Sequence, residues 1–169
     1  FSEEADLKII ILSGDLDVLQ LVKKDQIVAQ IIKTGVTNTE IYNEIKVEER
    51  YGLKPSELPD YKGLIGDVSD NIPGLKGIGP KSARELLQEF ETLDNIYENL
   101  PIIRTALAKK LEGKKDAALL YRELATIKRD APLDLPALSE LQSSPADKDK
   151  LADYFEQLGF TSLVKRLTS

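Results

Sequence analysis

Residues 66–81 carry the pattern that decides how this chain is interpreted. They read Gly66-Asp67-Val68-Ser69-Asp70-Asn71-Ile72-Pro73-Gly74-Leu75-Lys76-Gly77-Ile78-Gly79-Pro80-Lys81. Two carboxylates, Asp67 and Asp70, precede a glycine-rich turn, and Pro80 suits the first position of a helix. Carboxylate oxygens hold divalent cations, and backbone N–H groups at a helix start hold phosphate. The stretch therefore predicts metal beside phosphate, a combination that favours hydrolysis of a nucleic-acid backbone.

A second acidic pair, Asp15 and Asp17, follows the apolar run 7–12. The β-branched composition of that run predicts a strand buried on both faces of a parallel sheet. Functional side chains in open α/β sheets gather at the C-terminal ends of strands. The two pairs together predict a site for Mg²⁺ or Mn²⁺. Each pair also has a structural interpretation, the first as a helix cap and the second as an acidic turn.

The composition excludes several kinds of chemistry. The chain of 169 residues has no His and no Cys, so His-containing triads, thiolate nucleophiles and His- or Cys-ligated zinc are ruled out. A net charge of −6 argues against nucleic-acid binding over the whole surface but allows a local basic patch. No apolar run is long enough for a membrane span, and no signal peptide is recognisable, so we expect a cytoplasmic protein. Phe1 stands where a translated chain has Met, which indicates a fragment or processed product.

The glycine-rich turn and the helix after it are the candidate DNA-binding surface. Gly77 and Gly79 permit positive φ and close approach of another backbone. Lys81, Ser82 and Arg84 lie in the first turns of the predicted helix, where cations oppose the macrodipole at a cost of about 0.3–1 kcal/mol each. An anionic ligand would offset that cost, although a plain Gly-Pro helix start with solvated charges remains an alternative. Four other basic pairs are interpreted as solvated surface features rather than contacts: Lys23-Lys24, Lys109-Lys110, Lys114-Lys115 and Lys165-Arg166.

The pattern along the chain predicts an α/β fold, with a parallel or mixed sheet followed by a mainly helical region. Strands are predicted over 7–12, over 27–33 and from Val36 onward, while 38–43 is ambiguous. A helix over 46–51 ends at Gly52, and Pro55 and Pro59 predict a loop after it. Apolar spacing then predicts four helices, the fourth with Leu120, Leu124 and Ile127 on its buried face. An extended loop over 129–145 and a helix capped by Asp147 complete the chain.

The same residues resemble a known family, the structure-specific 5′ nucleases, and most closely the 5′–3′ exonuclease domain of bacterial DNA polymerase I. The resemblance is carried by 60–74 with 77–81, by 11–22, by 51–55 and by the ending 158–163. It implies that 1–65 is the C-terminal part of an α/β nuclease core. It also implies that 66–169 is a helical region of the same continuous domain, with a helix–three-turn–helix motif at 66–92.

The resemblance also implies an activity and its cofactors. The chain would contribute to a Mg²⁺- or Mn²⁺-dependent 5′–3′ exonuclease and 5′-flap endonuclease that acts on DNA in replication and repair. Asp15, Asp17, Asp67 and Asp70 would be catalytic metal ligands, the second group of such ligands in the family. A monovalent cation such as K⁺ would bind the backbone carbonyls of Leu75 and Ile78. DNA with a 5′ flap, nick or fork and a fused or cooperating DNA polymerase are the implied partners.

The family pattern begins before the residue that matches Phe1. The first strand, the remaining acids and the helical arch would precede it, so we expect the isolated chain to be inactive or weakly active. Three alternatives stay open: a non-catalytic duplex-DNA-binding module of helix–hairpin–helix type, a free-standing 5′ nuclease without polymerase, and a nuclease-like subunit that has lost activity.

Overall fold

A computed structural model describes residues 7–35, 37–132 and 141–168. The chain forms two compact units, Phe1–Ala131 and Pro132–Ser169, which are described separately below. Part of the predicted extended loop, 133–140, lies outside the described residues. The division that the sequence predicts at residue 65 stays a prediction.

The first unit contains a three-stranded mixed sheet, which confirms the predicted fold class. Its strands are β1 (Ile9–Ser13), β2 (Ile27–Thr34) and β3 (Asn38–Tyr42), in the order β1-β2-β3. Strand β1 runs parallel to β2, with Ile9 opposite Ile27, and β2 runs antiparallel to β3. The stretch that was ambiguous in sequence is thus the edge strand β3.

The prediction that the first strand is buried on both faces was wrong for the described residues. Ile10 and Leu12 are 54% and 62% exposed, whereas Ile9 and Ile11 are half-buried. Successive side chains of a strand point to opposite faces of the sheet. The described elements therefore cover one face of β1 and leave the other open.

The other regular elements described in the first unit are helices. The α-helices are α1 (Glu44–Tyr51), α2 (Leu58–Ile65), α3 (Pro80–Phe90), α4 (Leu93–Glu98), α5 (Thr105–Leu111) and α6 (Lys115–Ala125). Short 3₁₀ helices cover Leu16–Leu21, Pro55–Glu57 and Leu100–Ile102. The loop predicted around Pro55 and Pro59 is instead the 3₁₀ turn and the first turn of α2. Both prolines take positions in a first helical turn, where the missing N–H has no partner to lose.

Helices α2 and α6 pack closely because small residues face each other between them. A Cβ built on Gly63 of α2 would lie 3.0 Å from the carbonyl oxygen of Ala118 and from Cβ of Arg122. Ala118 is fully buried, whereas Leu120 and Leu124 are 51% and 63% exposed. The predicted apolar face of α6 was therefore wrong, since the close approach to α2 selects small side chains rather than leucines.

Gln20 ties the 3₁₀ helix after β1 to the segment that follows α6. The side chain is 4% exposed, and its Nε2 donates to the carbonyl of Ala125 at 2.7 Å. Its Oε1 accepts from the N–H of Ile127 at 3.2 Å, and its backbone carbonyl accepts from Arg129 Nη2 at 2.7 Å. These bonds satisfy a buried amide and fix the position of the chain that follows Asp15 and Asp17.

The described part of the second unit contains α7 (Lys148–Gln157) and α8 (Thr161–Thr168). As the sequence predicts, Asp147 caps α7, and its side chain accepts from the N–H of Lys150 at 3.2 Å. Gly159 turns the chain with φ 72°, and the rings of Phe155 and Phe160 lie 6.2 Å apart. Within the described residues of either unit, no helix is long and apolar enough to cross a membrane.

Candidate metal centre and nucleic-acid surface

Three carboxylates from two distant segments meet at one point. Asp17 lies in the 3₁₀ helix that follows β1, while Asp67 and Asp70 lie in the loop after α2. One oxygen of each carboxylate lies within 4.8 Å of an oxygen of the other two. The structure therefore brings together three of the four acids that the sequence selects.

The loop that carries Asp67 and Asp70 is closed by its own backbone. Asp67 and Ile72 exchange two N–H···O bonds of 2.8 Å each, and Asn71 takes a left-handed φ of 57°. Asp67 Oδ1 accepts from the N–H of Ser69 at 2.8 Å and also from its hydroxyl. One oxygen of Asp67 is thus held by the loop, and the other, Oδ2, lies 2.5 Å from the ammonium of Lys62.

Gly66 and Gly74 fix this loop against the end of α2. A Cβ on Gly66 would lie 2.3 Å from the carbonyl oxygen of Ile72, and one on Gly74 would lie 2.2 Å from the carbonyl carbon of Ile65. Both glycines have positive φ, 78° and 67°. Only glycine allows this backbone contact in a left-handed conformation. The contact joins the acidic loop to the hairpin turn that follows it, residues 75–78.

Lys62 lies between two of the acids. Its ammonium contacts Asp17 Oδ1 and lies 2.5 Å from Asp67 Oδ2, and all three side chains are less than a fifth exposed. Burial raises the pKa of Asp67, but hydrogen bonds from Lys62 and Ser69 outweigh it and bring the pKa to about 2. Sequence reasoning missed this role of Lys62, because the five-residue spacing to Asp67 belongs to no helical or strand pattern.

The cluster fits a divalent cation of the hard, oxygen-preferring kind. All three donors are carboxylate oxygens, which Mg²⁺ and Mn²⁺ favour. The Lys62 ammonium offsets the repulsion between Asp17 and Asp67, and the three acids together with Lys62 still carry a net negative charge. The residues present therefore suit Mg²⁺ or Mn²⁺ by donor type and by charge.

Asp15 has a different position from the other three. It caps the 3₁₀ helix, with its Oδ1 accepting from the N–H of Asp17 at 2.9 Å. It is exposed, and it lines a cleft of about 700 Å³ together with the three clustered acids and Lys62. The capping interpretation of Asp15 fits this geometry, and its role as a metal ligand stays a prediction.

The hairpin turn is anchored by two buried side chains. Leu75 and Ile78 are 4% and 6% exposed, and the carbonyl of Leu75 accepts from the N–H of Ile78 at 3.0 Å. Gly77 takes φ 89°, as the sequence anticipates, whereas Gly79 is extended at φ −105° and does not use its left-handed freedom. No described atom lies within 4 Å of a Cβ built on Gly79, so the start of α3 is open to approach. The carbonyl site for K⁺ stays a prediction.

The polar side chains in the first turns of α3 differ in exposure. The Lys81 side chain is 86% exposed and lies 3.9 Å from Glu85. Ser82 and Arg84 are half-buried, and Cδ of Arg84 lies 3.4 Å from the Cβ position of Gly52, at the end of α1. Lys81 thus extends into solvent beside Glu85, while the stem of Arg84 packs on the protein. The role of all three in DNA binding stays a prediction.

The chain is similar in sequence to a family of exonucleases and to bacterial DNA polymerases. A model of the 5′–3′ exonuclease family, described as the C-terminal SAM fold, matches residues 53–149. DNA polymerase I of Caldicellulosiruptor bescii is 45% identical over 163 residues, which are 95% of this chain and 19% of that protein. DNA polymerase I of Bacillus subtilis is 38% identical over 167 residues, 98% of this chain and 19% of that protein. The chain therefore spans about a fifth of the length of these relatives.

Solved structures share the fold at low identity. The 5′-exonuclease of bacteriophage T5, in a structure with bound zinc, superposes with a TM-score of 0.61 at 22% identity. The match covers 70% of this chain and 42% of that one. The catalytic core of Rad2 in complex with a DNA substrate gives a TM-score of 0.54 at 19% identity, covering 87% of this chain and 50% of that one. The family match over 53–149 establishes the relationship: this chain belongs to the 5′–3′ exonuclease family.

Proposed function

We propose that this chain is part of a divalent-metal-dependent 5′ nuclease that hydrolyses DNA phosphodiesters at 5′ flaps or ends, in a protein that also carries a DNA polymerase. The observation that carries the proposal is the convergence of Asp17, Asp67 and Asp70 beside an open hairpin turn. The relatives named above are DNA polymerases, and the T5 and Rad2 structures hold zinc and a DNA substrate, respectively.

In this proposal Asp17, Asp67 and Asp70 would hold Mg²⁺ or Mn²⁺. The bound cation would supply positive charge next to the phosphodiester, where negative charge develops during hydrolysis. Although burial opposes the shift, hydrogen bonds from Lys62 and Ser69 lower the pKa of Asp67 from its ordinary 3.8 to about 2, so its carboxylate stays ionised well into the acid range. Lys62 holds Asp17 and Asp67 together, and Asp15 fixes the backbone of Asp17 through its cap. The chain's own residues therefore form the carboxylate site and keep it charged.

The hairpin turn would hold the duplex next to this site. Gly79 leaves space for a phosphate to approach the N–H groups at the start of α3, and the exposed Lys81 can reach the same backbone. Such contacts position a duplex without carrying sequence information. K⁺ bound by the carbonyls of Leu75 and Ile78 would add to this contact. We therefore expect binding that depends on DNA structure and salt rather than on base sequence.

Metal binding can be tested on this chain directly. Titration with Mn²⁺, followed by loss of the free-ion paramagnetic resonance signal, should reveal a site that Asp17→Asn or Asp67→Asn weakens by roughly tenfold or more. The matched control is Asp25→Asn, which removes the same charge outside the cleft and keeps a partner for Asn43. Equal weakening by all three variants would mean that the carboxylates attract cations only through net charge.

Activity is tested on a 5′-labelled flap duplex with Mg²⁺ or with EDTA. The substrate is offered to this chain and to a protein that carries it at the full length of the relatives. The longer protein should release short 5′ products only with metal, and Asp67→Asn should slow release by roughly a hundredfold. Cleavage that survives in EDTA would refute the metal-dependent mechanism.

The alternative is a duplex-binding module without catalysis. The observation that favours it is the ammonium of Lys62, which already neutralises two of the acids. The double variant Asp15→Asn/Asp67→Asn in the longer protein separates the two functions. A binding module would keep its duplex affinity and its biological role in this variant, whereas a nuclease would lose cleavage.

A further inference from the structure

Lys110 lies against the hairpin turn, although the sequence pattern favoured a solvated surface position for the pair Lys109-Lys110. It belongs to the last turn of α5, more than 30 residues after the turn. Its Cδ and Cε lie 3.3 and 3.4 Å from the position that a Cβ on Gly77 would take. The aliphatic stem therefore lies over Gly77, and the missing side chain of Gly77 makes the room for it.

Lys114 reaches the same turn from the segment between α5 and α6. It is half-buried, and its Nζ donates to the backbone carbonyl of Lys76 at 3.5 Å. The side chain of Lys76 itself is exposed. Lysines from two later segments thus lie against a hairpin turn that carries a lysine of its own, an arrangement that sequence order does not reveal.

These three lysines lack anionic partners within the described part of the chain. None of them takes part in an ion pair there, in contrast to Lys81, which faces Glu85. The chain as a whole is acidic, with a net charge of −6. Gathering like charges without compensation is unfavourable unless an anion binds between them. The convergence on the turn therefore points to a polyanionic ligand.

We propose that Lys76, Lys110 and Lys114 form a second phosphate-binding surface, the lysine flank, which contacts the backbone of duplex DNA beside the hairpin turn. This inference rests on the proposed function, since it extends the duplex contact made by the start of α3. Lysine ammoniums bind phosphate as point charges and do not read bases. The flank therefore adds affinity that is independent of sequence and sensitive to salt.

The test is binding of this chain to a fluorescent blunt duplex of about 20 base pairs, with EDTA present to prevent cleavage. Anisotropy gives the affinity from about 50 to about 200 mM salt, and each lost phosphate contact lowers the slope of log affinity against log salt by about 0.9. The variant Lys110→Gln/Lys114→Gln should lower the slope by about 1.8. The ratio of wild-type affinity to the affinity of this variant should then be roughly tenfold smaller at the high-salt end of that range than at the low-salt end.

The matched control is Lys109→Gln/Lys115→Gln, which removes the same charge from neighbouring helical positions. Position 109 is about 100° around the helix from Lys110, so we expect a slope change below about 0.5. If the first double variant unfolds by circular dichroism, Lys110→Met keeps the stem over Gly77 and should still lower the slope by about 0.9.

The outcomes separate this inference from the proposed function. Equal slope losses in the two double variants would refute the flank, as would unchanged binding of Lys110→Gln/Lys114→Gln while Lys81→Gln weakens binding. That second result would leave the hairpin contact of the proposed function intact. Absence of duplex binding by the unmodified chain would overturn the flank together with the hairpin contact that it extends, whereas the flap-cleavage assay on the longer protein tests the nuclease separately.

Discussion

Replacing Gly74 by Ala should disrupt the junction between α2 and the hairpin turn. Gly74 has φ 67°, and a Cβ there would lie 2.2 Å from the carbonyl carbon of Ile65 and 2.3 Å from its oxygen. It would also lie 2.5 Å from the nitrogen of Gly66. All three atoms are backbone atoms in a tight contact, so no side chain can swing away. The substitution must therefore move the end of α2 or the acidic loop.

The magnitude follows from two contributions. An alanine in the left-handed conformation destabilises the folded state by about 1–2 kcal/mol. Alanine also lowers the conformational entropy of the unfolded chain, which offsets about 0.4–1 kcal/mol of that loss. Overpacking against backbone adds about 1–3 kcal/mol or more. We expect the free energy of unfolding to fall by about 3 kcal/mol, a large fraction of the stability of an ordinary domain.

Gly113 provides a matched control for the same substitution. Its φ is 69°, yet no described atom lies within 4 Å of its Cβ position. Gly113→Ala should therefore lower the free energy of unfolding only by the cost of a left-handed alanine, about 1 kcal/mol. Urea unfolding followed by far-ultraviolet circular dichroism measures both variants. Equal losses would refute the backbone contact between Gly74 and the end of α2.

Further predictions concern stability and pH. Burial raises the pKa of Tyr97 to about 12, and its buried hydroxyl has no hydrogen-bond partner among the described residues. Tyr97→Phe should therefore raise the free energy of unfolding in urea by about 1 kcal/mol, and a loss of stability would contradict this. The difference in the free energy of unfolding between Tyr97→Phe and the wild type should widen above pH 10. Burial disfavours the phenolate of Tyr97, so the wild type loses stability as the pH rises toward about 12, while the phenylalanine variant does not. The pKa of Asp67 is lowered from an ordinary 3.8 to about 2. The ionised carboxylate therefore adds about 2 kcal/mol to the free energy of unfolding above pH 3.8, and this stabilisation is lost as the pH falls through 2. In EDTA, the stability gap between the wild type and Asp67→Asn should therefore close in acid; a constant gap would refute the ion pair. Asp60 is 8% exposed and accepts from Arg122 at 3.2 Å, so Asp60→Asn should cost about 2 kcal/mol in thermal or urea unfolding. Asp94→Asn, which removes the half-exposed partner of the same Arg122, should cost less than about 1 kcal/mol; the reverse order would refute this assignment.

Local signals in the sequence predicted much of the helical framework. Pro80 does open α3, Gly52 does end α1 with a left-handed φ of 68°, and Asp147 does cap α7. These features depend on residues within one turn of each other, so the sequence contains the information directly. The acidic motif and the family resemblance were recognisable for the same reason.

What the sequence did not reveal depends on contacts between distant segments. Helix α2 was missed because Pro59 was interpreted as a loop residue rather than as part of a first helical turn. Lys62 lies between two acids, and Lys110 lies over Gly77. Both positions follow only from the packing of helices against other segments. Exposure of Leu124 on α6 follows from the close approach of α2, which no periodicity of α6 alone contains.

The amide of Gln20 has a consequence for where an independently folding piece of this chain can begin. The family match starts at residue 53, yet the bonds of Gln20 to Ala125, Ile127 and Arg129 join positions 105–109 residues apart. Closing so long a loop is slow and costs chain entropy, and these bonds form only when both ends are present. A piece cut at residue 53 would lose the partners of the 125–129 segment. The unit that folds therefore reaches back across the sheet, well beyond the boundary of the family match.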